Sequence, residues 1–346
     1  MSWKTRNTEG GRNEAWMVSQ KPKAIQFKLK AWTMPTTNVN IDPPTCRRVV
    51  YFKNVIFCYN SFMKSARNKT IYINPTEIKS FQDFELLPKE INARDLQNKI
   101  YLTNSIIALA KIPSGSIDLI VADPPYNINK NFGRGSIKLP EADFRDWCDN
   151  WIEQCARILK PTGSIYICID WVSSGMIQNI LSKYFFVRNR ITWKREKGRG
   201  SKNNWKNNME DIWFATKSDN YTFNLDAVKE KKKVLAPYVD KFGEAKDWTE
   251  KNGEKFRMTH PSNIWVDQVV PFWSMPENTE HPTQKPEKLI ERIILASSDE
   301  KDLVFDPFLG SGTTAVVAKK LGRKYCGFEI EKKFYIIAWK RLKKTV

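Results

Sequence analysis

The segment LVFDPFLGSGTTAVVAKKLGRKYCGFE, residues 303–329, decides the fold class of this chain. An apolar run at 303–305 has the composition of a buried strand, and a glycine turn leads from it into a helical pattern at 314–321. A second strand-like run follows at 324–328. A strand, a helix and a strand joined by short turns are typical of a parallel sheet with a helix on its face. The segment therefore predicts an α/β protein.

The same alternation continues through most of the chain after residue 95. Strand candidates lie at 100–103, 117–122, 164–169, 188–193 and 211–216, and helix candidates lie at 105–111, 143–160, 176–184, after 286 and after 331. This pattern predicts a doubly wound, mostly parallel sheet. Residues 218–280 are instead aromatic, charged and without sustained period, which indicates an inserted lobe. Residues 1–95 are basic and show no clear period.

The charge of the chain favours a polyanionic partner. Lysine and arginine number 57 against 38 acidic residues, a formal net charge of +19. Such an excess attracts nucleic acid at long range, although a basic surface can also serve solubility. The sequence has neither a run of eighteen apolar residues nor a signal peptide at its N-terminus, so we expect a soluble, cytoplasmic protein without a membrane segment. Six cysteines without a CxxC pair and only two histidines predict no metal site.

The glycine turn and a distant acid predict the kind of cofactor. Gly310 and Gly312 let the backbone approach a ligand, and the following helix offers free N–H groups. The turn lacks both the GxGxxG spacing and the lysine of a phosphate loop. Glu329 follows Gly310 by 19 residues, at the end of the next strand, where an acid can hold both hydroxyls of a ribose. A cofactor with adenosine but no phosphates fits both observations.

Three motifs, in this order, resemble those of a known family. DPPY at 123–126 ends a strand, HPTQKP at 281–286 precedes a helix, and DPFLGSGTT at 306–314 is the glycine turn. Together they resemble the β-group of S-adenosylmethionine-dependent DNA amino-methyltransferases, over about residues 95–346. The resemblance implies a Rossmann-like, circularly permuted methyltransferase fold, with S-adenosyl-L-methionine as cofactor and double-stranded DNA as substrate. It divides the chain into an extension of unknown role (1–95), a catalytic half (96–217), a candidate target-recognition lobe (218–280) and a cofactor-binding half (281–346).

The resemblance makes Asp123, Pro124, Pro125 and Tyr126 the expected catalytic residues. An exocyclic amine is a weak nucleophile, and acceptors that bind its hydrogens direct its lone pair toward the methyl group. The Asp123 carboxylate and the Pro124 carbonyl can each accept one hydrogen. Tyr126 offers a ring to a base flipped out of the duplex. The DPPY form is most similar to adenine-N6 enzymes, because relatives acting on cytosine N4 more often carry serine in place of the aspartate.

The resemblance also implies the cofactor contacts. Thr283, Gln284 and Lys285 correspond to the segment that meets the methionine part of the cofactor, and Phe308 and Gly310 to the floor beneath it. Asn104 stands where relatives usually have an aspartate that contacts the cofactor adenine. The complete expected set is Asn104, Thr283, Gln284, Lys285, Asp306, Phe308, Gly310, Gly312 and Glu329.

The basic loop 194–208 is the candidate DNA contact. Its expected DNA-binding residues are Lys194, Lys197, Arg199 and Lys202. Trp193 and Trp205 are interleaved with these charges, a mixture that suits phosphate contacts and stacking, although a solvated basic loop has the same composition.

Other functions remain open at this point. Cytosine-N4 methylation uses the same fold, and methylation of RNA or of a protein amide uses related sites. A basic DNA-binding protein with an inactive site is an alternative from another class. The sequence leaves open the recognition sequence, a cognate restriction endonuclease as partner, and whether the chain is a monomer or a homodimer.

Overall fold

The computed structural model describes residues 49–52, 55–58, 67–127, 138–195, 202–235 and 237–345. The chain separates into two compact units, Met1–Met63 and Lys64–Val346. In the first unit, strands β1 (Val49–Phe52) and β2 (Val55–Cys58) form an antiparallel pair. All further elements belong to the second unit.

The strands of the second unit are β3 (Lys99–Leu102), β4 (Ile117–Ala122), β5 (Leu159–Ile169), β6 (Phe186–Lys194), β7 (Met209–Thr216), β8 (Glu230–Lys233), β9 (Thr249–Lys251), β10 (Glu254–Thr259), β11 (Ile264–Trp265), β12 (Leu303–Asp306) and β13 (Lys324–Glu329). The helices are α1 (Pro75–Ser80), α2 (Ser105–Leu109), α3 (Glu141–Ile158), α4 (Ser174–Tyr184), α5 (Glu287–Ser297), α6 (Thr313–Lys320) and α7 (Lys332–Lys344). A short 3₁₀ helix lies at Leu225–Val228.

A central sheet has the strand order β11-β6-β7-β5-β4-β12-β13-β3. β7 runs antiparallel to β5 and β6, and the remaining pairings among the described strands of this sheet are parallel. The chain leaves β4 through α3 toward β5 and leaves β12 through α6 toward β13, so the winding direction reverses between β4 and β12. The predicted doubly wound, mostly parallel sheet is confirmed. A ligand crevice is expected where the winding reverses.

The core explains why the central strands form. Ile117, Leu119 and Ile120 of β4 are fully buried, as expected for a strand with neighbours on both sides and helices on its faces. Asp118 is the half-buried exception, and its carboxylate accepts from Lys160 Nζ and from the Leu303 backbone N–H. That ion pair and hydrogen bond connect β4 to β5 and β12.

Residues 67–95 belong to the second unit, Lys64–Val346. Ile73 is buried in one cluster with Phe334 and Ile336 of α7. Phe81 makes an edge-to-face contact with the Trp339 ring of the same helix at 5.2 Å. This segment has only one short helix, so its apolar residues make long-range contacts without a periodic pattern in the sequence.

Residues 218–280 combine two structures. β8, β10 and β9 form a separate three-stranded antiparallel sheet whose side chains are mostly exposed. β11 instead pairs parallel with β6 and extends the central sheet. Because β8–β10 bury little on either face, their sequences lack the alternation that identifies a half-buried strand. Among the residues that the structure describes, no helix combines the length and apolar composition needed to cross a membrane.

Candidate active site

A cavity opens at the carboxyl ends of β4, β12 and β13, at the reversal of the winding. Its walls include most of the predicted site residues, namely Asp123, Pro124, Pro125, Tyr126, Thr283, Gln284, Lys285, Asp306, Phe308, Gly310 and Glu329. Chain segments far apart in sequence meet here because parallel strands place their carboxyl ends at one edge of the sheet. Asn104 and Gly312 lie outside these walls.

Asp123 lies just beyond the end of β4, and its side chain is 19% exposed. Its Oδ1 is 2.6 Å from Lys285 Nζ and also accepts a 2.6 Å hydrogen bond from the Tyr126 hydroxyl. The extended Pro124-Pro125 pair prevents the chain from turning at once into a helix, so the carboxylate stays at the strand tip. The predicted acceptor is thus placed at the cavity wall with one oxygen already engaged.

Glu210 completes this network, although no sequence motif indicated it. It lies near the start of β7 and is 4% exposed. Its Oε2 is 3.3 Å from both Lys285 Nζ and the Tyr126 hydroxyl, and its Oε1 is 2.7 Å from Arg195 Nη1. Burial alone would lower the pKa of Lys285, but the Asp123 and Glu210 carboxylates outweigh it and raise that pKa. Lys285 is therefore a charged ammonium group held between two carboxylates.

Lys285 and Tyr126 both line the cavity and both contact Asp123. The Lys285 ammonium group pairs with the Asp123 carboxylate, and the expected contact of Lys285 with the methionine part of the cofactor stays a prediction. Tyr126 is buried at 8% exposure, and its ring lies 5.3 Å from Lys285 Nζ. The expected contact of this ring with a flipped base stays a prediction. Burial and the two carboxylates raise the pKa of its phenol well above the ordinary value, so Tyr126 remains a neutral donor.

The two glycines of the turn after β12 have different structural roles. Gly310 has φ +54°, and a Cβ there would lie 3.0 Å from the His281 ring at the cavity wall. Gly312 has φ +81°, and a Cβ there would lie 2.6 Å from the Ala338 Cβ of α7. Gly310 therefore shapes the cavity, and Gly312 allows α6 to approach α7.

Asp306 fixes the shape of this turn. Its two carboxylate oxygens accept from the Phe308 backbone N–H at 2.9 Å and from the Thr314 hydroxyl at 2.6 Å. Burial raises the pKa of this carboxyl to about 7, although these two donors oppose the shift. Phe308, held by this turn, lines the cavity and contacts the edge of the buried Trp151 ring at 5.2 Å. Trp151 belongs to α3 and is fully buried, so it forms part of the core.

Glu329 ends β13 inside the cavity. One of its oxygens accepts from the Gly310 N–H at 2.7 Å, and the other accepts from the Glu331 N–H at 2.7 Å. Burial raises the pKa of this carboxyl to about 7, and the two backbone donors partly offset that effect. A carboxylate oxygen can accept more than one hydrogen, so both oxygens can still receive a hydroxyl.

The segment before α5 forms another part of the cavity wall. Gln284 is buried, and its amide spans the segment by accepting from Thr279 and donating to the Glu277 carbonyl. Its side chain therefore holds the backbone of Thr283 and Lys285 in place. His281 lines the cavity and packs edge-to-face on Phe334 at 4.4 Å.

Asn104 caps helix α2 instead of facing the cavity. Its side-chain oxygen accepts from the Ile106 N–H at 2.9 Å. It borders a neighbouring depression that shares Ile330 and Glu331 with the cavity. The contact of Asn104 with a cofactor adenine stays a prediction.

The basic loop is described in part. Lys194 and Lys202 are exposed, whereas Lys197 and Arg199 lie outside the described residues. The expectation that Trp193 stacks on a base is wrong, because its ring is buried and its indole N–H donates to the Gln268 carbonyl. Trp205 is 93% exposed and remains available for stacking. Within the described ranges, no group of three or more His, Cys, Asp or Glu residues could hold a metal ion.

Comparison with known proteins identifies the family of this fold and site. Residues 117–340 match the family described as DNA methylase (N6_N4_Mtase). The chain is 35% identical over 250 residues to the Type II methyltransferase M.HpaI of Haemophilus parainfluenzae, covering 71% of this chain and 74% of that protein. It is 37% identical to the Type II methyltransferase M.BglII of Bacillus subtilis over 75% of this chain and 74% of the relative. It is 39% identical to the DNA adenine methyltransferase YhdJ of Escherichia coli K12 over 69% of this chain and 80% of the relative.

Solved structures agree with the fold. The PvuII DNA methyltransferase (cytosine-N4-specific) superposes with a TM-score of 0.54 at 20% identity, covering 71% of this chain and 86% of that chain. A DNA modification methylase of Thermus thermophilus in complex with S-adenosyl-L-methionine gives a TM-score of 0.51 at 22% identity, over 72% of this chain and 94% of that chain. At these identities the likeness shows a shared fold.

Proposed function

The chain belongs to the DNA methylase family and is an S-adenosylmethionine-dependent DNA methyltransferase, and we propose that it methylates the N6 amine of adenine within a short duplex sequence. One observation carries the choice of an amine acceptor: the Asp123 carboxylate lies at the tip of β4, on the wall of the cavity that also contains Gly310 and Glu329. The name of the relative YhdJ, a DNA adenine methyltransferase, supports adenine as the base.

The chemistry of the cavity fits the cofactor. Glu329 offers a buried carboxylate to ribose hydroxyls, and the close approach at Gly310 leaves room for a ligand beside the turn. Phe308, Phe328 and Phe334 supply apolar walls. S-adenosylmethionine, when bound, supplies a methyl group on a positively charged sulfur. We assign Glu329, Phe308 and Gly310 to its binding, with Thr283 and the Gln284 backbone on the opposite wall.

Asp123 and the Pro124 carbonyl activate the amine. Asp123 and the Pro124 carbonyl each accept one amine hydrogen, so that the nitrogen lone pair is free to attack. Positive charge develops on that nitrogen, and the nearby carboxylate stabilises it. The target nitrogen is inaccessible inside a duplex, so the base must be flipped into the cavity. The role of Tyr126 in this arrangement is that its hydroxyl donates to Asp123 and orients the carboxylate.

DNA contacts are divided between two regions in this proposal. The exposed Lys194 and Lys202 bind phosphates, together with Lys197 and Arg199 of the same loop. Residues 218–280 read the sequence, because the exposed side chains of β8–β10 are available for contacts. Asn104 would meet the cofactor adenine from the neighbouring depression. A cognate restriction endonuclease, the choice between monomer and homodimer, and the expected cytoplasmic location stay predictions.

The test uses purified protein, duplex DNA and methyl-labelled cofactor, followed by digestion to nucleosides and chromatography. We expect the label in N6-methyl-2′-deoxyadenosine. Asp123→Ala should bind S-adenosylmethionine normally but lose on the order of a hundredfold or more in single-turnover rate, because one strong acceptor is removed from a developing charge. Label in N4-methylcytosine, or near-normal activity of the variant, would contradict the proposal.

A further inference from the structure

Glu210 stands behind the catalytic acid, outside the cavity walls. It is 84 residues from Tyr126 in sequence, and the antiparallel run of β7 brings it to the edge where β4 ends. Its two oxygens have separate partners: Oε2 faces Lys285 and Tyr126, and Oε1 faces Arg195. Burying a carboxylate this deeply has a desolvation penalty, which its charged and hydrogen-bonding partners must offset. Those partners therefore indicate what Glu210 does.

We propose that Glu210 is a positioning residue for methyl transfer: it shares the Lys285 ammonium group with Asp123 and thereby keeps the Asp123 carboxylate able to accept the target amine. This inference rests on the proposed function. Lys285 Nζ is 2.6 Å from Asp123 and 3.3 Å from Glu210, so one cation serves both acids. The Tyr126 hydroxyl bridges the same pair, at 2.6 Å from Asp123 and 3.3 Å from Glu210.

Charge explains why sharing matters. Direct ion pairs join two carboxylates, Asp123 and Glu210, to two cations, Lys285 and Arg195. Asp306 also interacts electrostatically with Asp123 and Lys285, and Asp170 with Glu210. Methyl transfer brings positive charge onto the amine nitrogen next to Asp123. Without the Glu210 charge, two cations would face one carboxylate, and Lys285 would pair with Asp123 alone. The target amine would then compete with Lys285 for the Asp123 oxygens. The excess of positive charge would also disfavour the positive charge that develops on the amine nitrogen.

The next residue of β7 provides a matched control. Asp211 is 1% exposed, and its carboxylate lies 3.8 Å from Arg190 Nε and 3.5 Å from the Thr192 hydroxyl. Neighbouring residues of a strand point to opposite faces of the sheet, so Asp211 has no contact with the Asp123 cluster. Asp211→Asn therefore removes an equally buried negative charge from the same strand without touching the site.

The experiment compares Glu210→Gln, Glu210→Asp and Asp211→Asn with the wild-type chain. Single-turnover methylation of duplex DNA is measured beside calorimetric titration with S-adenosylmethionine. We expect Glu210→Gln to lower the rate by about tenfold or more, with cofactor affinity within about twofold of wild type. Glu210→Asp, which keeps the charge, should be faster than Glu210→Gln, and Asp211→Asn should stay within about twofold of the wild-type rate.

Several outcomes would overturn the inference. Folded Glu210→Gln could keep the wild-type rate, or it could lose rate and cofactor affinity equally. Glu210→Asp could be no faster than Glu210→Gln, or Asp211→Asn could lose as much rate as Glu210→Gln. If Glu210→Gln does not fold, Glu210→Asp must itself lower the rate by about threefold or more at unchanged cofactor affinity. Absence of adenine methylation by the wild type would instead refute the proposed function, so the two failures are distinguishable.

Discussion

Glu329→Gln tests the cofactor half of the cavity with the smallest change of shape. In the wild-type chain, one carboxylate accepts from the Gly310 and Glu331 N–H groups and still has lone pairs for a ligand. Glutamine is nearly isosteric but uncharged, and it has one oxygen where the carboxylate has two. Its amide nitrogen must face one of the two N–H groups, so we expect some loss of folding stability beside the loss of ligand affinity.

The size of the binding effect follows from the lost charge. A hydrogen bond to a charged group contributes about 1.5–3 kcal/mol, and about 1.4 kcal/mol corresponds to a tenfold change in an equilibrium constant. We therefore expect the affinity for S-adenosylmethionine to fall about ten- to a hundredfold. Affinity for DNA in the absence of cofactor should stay unchanged, because Glu329 faces the cavity and makes no phosphate contact in the proposal.

Because the pKa of Glu329 is raised to about 7, the affinity for S-adenosylmethionine should depend on pH. Only the ionised carboxylate accepts both ribose hydroxyls, and the carboxyl is mostly protonated below that pKa. Cofactor affinity should therefore rise by about tenfold between pH 6 and pH 8. Asp306, with a pKa of about 7 in the same cavity, can contribute to this rise, so the slope in Glu329→Gln should be smaller than in wild type without necessarily vanishing.

The assay is calorimetric titration with S-adenosylmethionine at several pH values, beside thermal unfolding of each variant. Asp302→Asn is a suitable control, since this acid also has a pKa raised chiefly by burial but lies before β12, at the end remote from the cavity. We expect it to leave cofactor affinity unchanged. Wild-type affinity and pH slope in a folded Glu329→Gln variant would refute the placement of the ribose against Glu329.

Three further predictions concern packing, DNA binding and recognition. Gly312→Ala should lower the free energy of unfolding by about 1–3 kcal/mol, because its new Cβ would meet Ala338 at a positive φ; an unchanged denaturation midpoint would contradict this. Lys194→Ala with Lys202→Ala should weaken binding to all DNA sequences and lower the salt slope by about one per lost contact, whereas selective loss for one sequence would argue against phosphate contacts. Exchange of residues 218–280 with those of a relative should change the methylated sequence but not the methylated atom, and an active chimera that keeps its original site would place recognition elsewhere.

The sequence predicted the central sheet because its strands and helices alternate in hydrophobic pattern. It also related Gly310 to Glu329 as parts of one ribose site, and the resemblance added Asp123; all three line one cavity because they lie at or just beyond the carboxyl ends of parallel strands. These inferences depend on local patterns and one topological rule. They did not require knowledge of individual side-chain contacts.

The same patterns could not show contacts between distant segments. Glu210 precedes an apolar run next to Asp211, and the two acids are alike in sequence although one joins the Asp123 cluster and the other pairs with Arg190. Strand alternation places them on opposite faces, but only the fold shows which face meets the site. Trp193 was misassigned for a related reason. It adjoins the basic loop in the sequence, but it lies in β6 and its ring is buried.

The most direct test of the central claim is sequencing with modified-base detection of DNA from cells that express this chain, compared with cells that express Asp123→Ala. We expect N6-methyladenine at one short sequence in the first sample and its loss in the second. N4-methylcytosine in place of N6-methyladenine, or the same methylation with the Asp123→Ala variant, would contradict it.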